Sequence, residues 1–167
     1  MDSFILDTNI IIDALSARIL DYLNFNLFYV SQVVFKEEII KQIPLLLNFN
    51  LNLINETYEE LMIANEYKSL NNRISFYDAL NLAIAKERKM ILVTGDQQLV
   101  KCANQKEVEC IGTLKLIEIL IENNKISIEE SIIALQKLKL DIKRRIPHNL
   151  IDSLIEKLLS TNETIKL

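Results

Sequence analysis

The stretch FILDTNIIIDAL (Phe4–Leu15) sets the frame for the whole chain. An apolar run breaks for Asp7, Thr8 and Asn9 and then resumes at Ile10. An ionised Asp inside such a run is costly unless something compensates it. Asp7 therefore either caps a helix beginning at Asn9 or binds something at the end of a strand.

The surrounding composition favours a packed chain with many helices. Of 167 residues, 50% are hydrophobic, and Gly and Pro number only 2 each. So few turn formers argue against an all-β sandwich or barrel. No apolar run approaches the roughly 20 residues a bilayer span needs. The N-terminus carries no basic stretch with a small-residue cleavage site, so a cytoplasmic protein without membrane attachment is expected. Cys102 and Cys110 show no metal-type spacing and read as reduced thiols. The net charge of −4 and pI of 5.1 leave no footprint for non-specific nucleic-acid binding. An acidic site filled by a cation remains compatible with that balance. The charge is uneven: residues 125–167 hold eight Lys/Arg against six Asp/Glu, and residues 1–124 hold eleven against seventeen.

Short β-forming segments recur at Ser3–Leu6, Leu27–Val30, Leu51–Ile54, Met90–Val93 and Val108–Ile111. Helical patterns lie between them: Val33–Ile43, Glu56–Leu70, Phe76–Glu87, Gln97–Ala103 and Leu114–Ile121. This alternation predicts βαβ units, a parallel sheet of four or five strands and helices on both faces, a three-layer α/β/α sandwich. After Asn123–Lys125 only helical patterns remain. Ile128–Leu140 opens on SIEE, with Ser127 and Glu130 at capping-box spacing, and Leu150–Leu159 follows Pro147. The expected organisation is an α/β catalytic domain over 1–124 and a helical hairpin over 125–167.

Four acids fall where one edge of such a sheet gathers them. Asp7 follows the first strand and Asp96 the fourth, and ligand sites of open parallel sheets lie at carboxyl ends of strands. Asp78 opens the helix of SFYDAL, and Glu37 lies early in the helix after the second strand. Each has an ordinary explanation. Asp7 and Asp96 stand at N-cap positions, Asp78 is three residues after Ser75, and Glu37 sits in a charged surface stretch. Converged, two carboxylates about 5 Å apart repel by about 3 kcal/mol at an effective dielectric near 20. A cluster then protonates in part or holds a cation. All-oxygen donors suit Mg2+ or Mn2+, whereas one His and no paired Cys argue against Zn2+. Such an ion takes up phosphate oxygens and activates water, the chemistry of phosphodiester hydrolysis.

These residues, in this order, resemble the PIN-domain nucleases. FILDTNIIIDAL resembles that family's opening strand and Asp-Thr-Asn turn. SFYDALNLAIAKERKMILVTGDQQL (Ser75–Leu99) resembles its third acid, helix, strand and Thr-x-Asp turn. VSQVVFKEEI (Val30–Ile39) resembles the segment of the second acid, where Glu37 is six residues after Ser31 and three after Val34, while Glu38 directly precedes Ile39. Glu37 is the expectation taken forward. The resemblance covers residues 3–120, and VECIGTLKLIEILIENNKIS with the helices after it resembles a subgroup with a helical C-terminal extension. It implies a Mg2+- or Mn2+-dependent ribonuclease acting on single-stranded or structured RNA, the toxin of a toxin–antitoxin pair held inactive by an antitoxin protein, and a homodimer. Asp7, Glu37, Asp78 and Asp96 are the implied metal ligands, Thr94 a water-orienting hydroxyl, and Thr8 or Asn9 the shapers of the turn.

Other residues read more plainly. Asp13 is expected on the surface of its helix, Lys143–Arg145 as a solvated turn, and His148 as a helix-start residue without function. Arg18, Lys36 and Arg73 are candidate phosphate contacts. Tyr29, Tyr67, Phe76 and Tyr77 read as core. Leu116–Ile121 is too apolar for one helix face and is expected to be buried on two sides. Two alternatives stay open. A strand followed by Asp also opens aspartyl-phosphate phosphatases, although Asn9 stands where those carry a second Asp. A non-catalytic binding or interaction module would use the acids only as caps.

Overall fold

The computed structural model describes residues 2–25 and 27–165. Five parallel strands form one sheet in the order β3-β2-β1-β4-β5. They are β1 (Phe4–Leu6), β2 (Phe28–Ser31), β3 (Leu53–Ile54), β4 (Ile91–Val93) and β5 (Cys110–Ile111). The register pairs Phe4 with Phe28 on one side and with Ile91 on the other. Phe4, Ile5 and Leu6 are all buried. Successive strand side chains point to opposite faces, so a strand with no exposed residue is covered on both sides.

The covering helices follow from the sequence periodicity. They are α1 (Thr8–Ala17), α2 (Gln32–Val34), α3 (Ile40–Gln42), α4 (Tyr58–Leu70), α5 (Phe76–Arg88), α6 (Gln97–Gln105), α7 (Thr113–Glu122), α8 (Ile128–Leu140) and α9 (His148–Ile165). A π-wound turn, Phe35–Ile39, joins α2 to α3, and 3-10 turns occupy Leu20–Asn24 and Pro44–Asn48. α5 packs on β1 and β4 with α4 and α6 beside it, while α1 packs with α7 and α8, and α9 rests on α8. Leu116, Ile117, Ile119 and Leu120 of α7 are buried, as their density of apolar residues requires. Among the described residues, no helix is long and apolar enough to cross a membrane.

With so few glycines, the helices stop on other residues. Arg18 and Lys89 end α1 and α5 in the left-handed region, at φ 59° and 53°. Starts are better provided. Thr57 with Glu60, Ser75 with Asp78 and Ser127 with Glu130 each form a reciprocal capping box. Glu60, 2% exposed, also takes two hydrogen bonds from Arg88, Nε to Oε1 at 2.6 Å and an η-nitrogen to Oε2 at 2.8 Å. That fork ties α4 to the end of α5, and the guanidinium holds the Glu60 carboxyl below its usual range.

Two surface expectations are corrected. Asp13 is buried, not on the helix surface: Thr113 donates to its Oδ2 at 2.5 Å, and Arg144 reaches its Oδ1 at 3.3 Å. Arg144, from the turn read as solvated, has a side chain only 15% exposed. Beside this pair, Ser16 donates to Asp141 at 2.8 Å. The turn after α8 is thereby clamped to α1 and to the start of α7. The partners are a hundred or more residues apart in sequence, beyond the reach of any local pattern.

Burial pushes the Asp13 carboxyl up, against the opposing pull of Thr113 and Arg144. Arg144→Ala leaves that carboxylate buried and unpaired, at an expected cost of about 3 kcal/mol at pH 8. A carboxyl whose folded pKa is raised is protonated more readily in the folded state as pH falls. The loss should therefore shrink as pH falls from 8 to 4.5, because the neutral form of the acid needs no partner. Urea unfolding at both pH values measures it, and a loss independent of pH would assign Arg144 a packing role alone.

Candidate active site

The strand order places a topological switch between β1 and β4: from β1 the chain moves outward to β2 and β3, then returns to β4 on the other side. Crevices at the carboxyl ends of such strands are where open α/β sheets bind ligands. Asp7 follows β1 directly, and Thr94 follows β4. The Asp7 backbone N–H donates to the carbonyl of Val93 at 3.0 Å, tying the two strand ends together. The Thr94 hydroxyl donates to Asp7 Oδ2 at 2.8 Å and accepts from the Asp96 backbone N–H at 3.1 Å. One hydroxyl thus joins Asp7 and Asp96, 89 positions apart in the sequence.

The four acids differ in what holds them. Asp7 occupies the N-cap position of α1 but makes no side-chain cap hydrogen bond, and it is 2% exposed. Asp96 caps α6, with Oδ1 accepting from Gln98 at 2.7 Å and Leu99 at 2.9 Å. Asp78 accepts from the Ser75 backbone at 2.7 Å inside its capping box. Capping thus accounts for much of the placement of Asp78 and Asp96, but not for that of Asp7.

The second acid is where sequence and structure part. Glu37 is exposed and pairs with Lys41 at 2.5 Å, which lowers its carboxyl's pKa. Glu38 is half-buried, and the Thr8 hydroxyl donates to its Oε2 at 2.6 Å. The cause is the π-wound turn. Its closing bond runs from the Ile40 N–H to the Phe35 carbonyl. Widening the helix by one residue rotates later side chains by about 100° relative to an α-helix. The spacing from Ser31 and Val34 selects Glu37, and the geometry brings Glu38 to Thr8. The entry to this segment is fixed by Ser31, whose hydroxyl caps α2 and donates to Glu56, while the Val33 N–H reaches the same Glu56 oxygen at 3.0 Å. Glu56 was not singled out from sequence, where it reads only as the start of the next helix.

Burial pushes the Asp7 carboxyl up to about 7, and the charges of Asp78 and Glu38 push the same way against the Thr94 hydrogen bond. Burial also raises Glu38, with Asp78 adding to it. Asp7, Glu38 and Asp78 therefore feel one another's charge. Among the described residues, no Lys or Arg forms a salt bridge with Asp7, Glu38, Asp78 or Asp96. Uncompensated carboxylates with no nitrogen or sulfur donor among them suit a hard divalent cation in chemistry and charge. Among the described residues, however, no three His, Cys, Asp or Glu side chains form a group that could hold an ion. Of the proposed phosphate contacts, Arg18 ends α1, about 15 Å along the helix axis from Asp7. Lys36 and Arg73 are exposed beside Glu37 and two residues before Ser75. His148 is exposed at the start of α9.

The Asp7 carboxyl predicts a particular pH dependence. Its folded pKa lies above the ordinary Asp value of 3.8, so the stability it costs the metal-free fold grows as pH rises toward about 7 and is complete beyond it. Asp7→Asn removes that cost. In EDTA the variant should melt several degrees above the wild type at pH 8, with the gap closing at pH 4; about 4 kcal/mol is the upper limit. Thermal melts at the two pH values check this, and a variant that melts lower at pH 8 contradicts it.

No curated protein matches the chain. A family model described as PIN domain matches residues 3–160, running through the sheet and on into the C-terminal helices. On that match and this fold, the chain belongs to the PIN-domain family, a nuclease-like family.

Proposed function

We propose that this protein is a Mg2+- or Mn2+-dependent endoribonuclease whose ion is held by Asp7, Glu38, Asp78 and Asp96. The observation that carries the reading is Asp7: a buried carboxylate at the switch point, in the field of two other acids, not used to cap its own helix. Family membership supports hydrolysis of nucleic acid, and the oxygen-only donor set supports the ion class.

When bound, a divalent ion at such carboxylates polarises a phosphoryl oxygen and lowers the pKa of its water. The chain's own residues prepare the place. Thr94 fixes Asp7 Oδ2 and, through the Asp96 amide, the first turn of α6. Thr8 orients Glu38 across from Asp7. Ser75 holds Asp78 at the mouth of α5. Asp96 has one oxygen committed to α6, which sets the direction of the other. Exposed Lys36 and Arg73 offer positive charge beside an acidic site that would otherwise repel a phosphate backbone.

A second reading, a non-catalytic PIN-like binding or interaction module, is favoured by one observation: the described acids do not form an ion-holding group. The two readings separate on ion binding. For the enzyme, Mn2+ at a hundred times its dissociation constant should add about 2.7 kcal/mol of stability, and for the module it adds none.

The activity test is cleavage of RNA with Mg2+ or Mn2+, lost in EDTA. Asp7→Ala and Glu38→Ala should each lower the rate by at least about a hundredfold, comparable to removal of other groups that stabilise the transition state. Glu37→Ala should stay near wild type. Full activity in Asp7→Ala overturns the site, and equal loss in the Glu37 and Glu38 variants overturns the assignment of the second acid. On the resemblance alone, the reading extends to a toxin restrained by an antitoxin. Induced expression should then arrest growth for the wild type and not for Asp7→Ala.

A further inference from the structure

Asn81 stands out in the described core: it is 0% exposed, and both its side-chain oxygen and its side-chain nitrogen lack a hydrogen-bond partner. An unpaired buried amide costs on the order of 1–3 kcal/mol. Natural proteins seldom leave one without an ordered water, an ion or a functional reason.

Its place in the fold narrows the choice. Asn81 lies three residues after Asp78 on α5, one turn deeper, and i,i+3 residues are neighbours on a helix surface. That side of α5 carries the Asp78 charge toward Asp7 and Glu38, and α5 packs on β1 and β4, the strands that end at Asp7 and Thr94. α4 and α6 also flank α5. The buried residues of α4, Glu60 and Ala64, offer no partner: the Glu60 oxygens are taken by Arg88 and the Thr57 N–H, and Ala64 has no polar side chain. The free amide thus lies one turn below Asp78, on a helix packed against the strands that end at Asp7 and Thr94.

We propose that Asn81 is a positioning residue of the acidic site, holding an ordered water beneath Asp78 and Asp7 that fixes these carboxylates for a divalent ion. This rests on the metal-dependent reading above and adds to it a residue of neither charge nor ligand type. The Asn amide donates and accepts at once, so a single water can bond to it and still donate to a carboxylate. Groups that orient metal ligands in this way change ion affinity by roughly tenfold to a hundredfold when removed.

The test uses the full chain with Mn2+ as probe, binding followed by calorimetry and stability by melting in EDTA. Asn81→Leu fills the space without a polar group. It should melt at or above the wild type in EDTA, because an unsatisfied amide is gone, yet bind Mn2+ at least about tenfold more weakly. Asn81→Ser keeps a hydroxyl and room for water, and should bind close to wild type. Wild-type affinity in Asn81→Leu overturns the proposal, since the amide would then be only a structural defect. Loss of binding in Asn81→Ser overturns it as well, because a retained polar group would have failed to rescue. If the wild type itself binds no Mn2+, the metal-dependent reading falls first and this inference with it.

Discussion

A carboxylate buried where two central strands end is the constraint on which the rest of this structure turns. Asp7 sits at the end of β1, out of water and, among the described residues, without a salt-bridge partner. Unfolded, it would be solvated at no cost. Folding must therefore place hydrogen-bond donors at the same point, and the neighbouring strand end contributes to them. At the end of β4 the Thr94 hydroxyl donates to the carboxylate, and the Val93 carbonyl accepts from the Asp7 backbone N–H. The pairing of β1 with β4 is thus fixed by polar as well as apolar terms. The residual repulsion from Asp78 and Glu38 is left standing. Selection for stability alone would remove it, and a site that needs charge would keep it.

The remaining acids show how caps and site share residues. Asp96 accepts from the first-turn amides of α6, and Asp78 from the Ser75 N–H that precedes α5. A cap both orients a side chain and stabilises a helix, so the site gains preorganisation from bonds the fold needs in any case. Glu38 has no such double role. Its orientation depends on the π-wound turn between α2 and α3 and on Thr8, and that turn is the irregular element nearest the site. π-turns cost hydrogen-bond geometry and tend to persist where a side chain must be aimed.

Much of the architecture is legible in the sequence because it rests on local terms. All five strands and the chief helices stand within a few residues of where apolar periodicity and caps put them, and Ile128–Leu140 agrees at both ends. Asp7 could be flagged because a strand and a helix meet around it without a turn former. What escaped reading depends on distant partners or on departure from helical period. Glu37 is favoured over Glu38 by its spacing from Ser31 and Val34, and that spacing carries no sign of the π-wound turn that brings Glu38 to Thr8. Asp13 and Arg144 read as surface charges because Asp13 is compensated by residues at least a hundred positions away, Arg144 and Thr113. Asn81 sits among Ala79, Leu80, Leu82 and Ala83, where one polar residue in an apolar helix carries no signal until its surroundings are known.

These long-range contacts bear on the site through α1. The helix carries Asp7 and Thr8 at its start, while Asp13 and Ser16, farther along, are held by the turn after α8. A ten-residue helix transmits displacement of one end to the other with little loss, because its backbone bonds are closed within it. The clamp at Asp13 therefore limits how far Asp7 can move relative to Thr94, whose position is set independently by β4. A site of mutually repelling carboxylates is pushed outward by its own charge, and two separate anchors on either side of the switch point oppose that push. The turn after α8 thus belongs to the mechanics of the candidate site through its hold on α1.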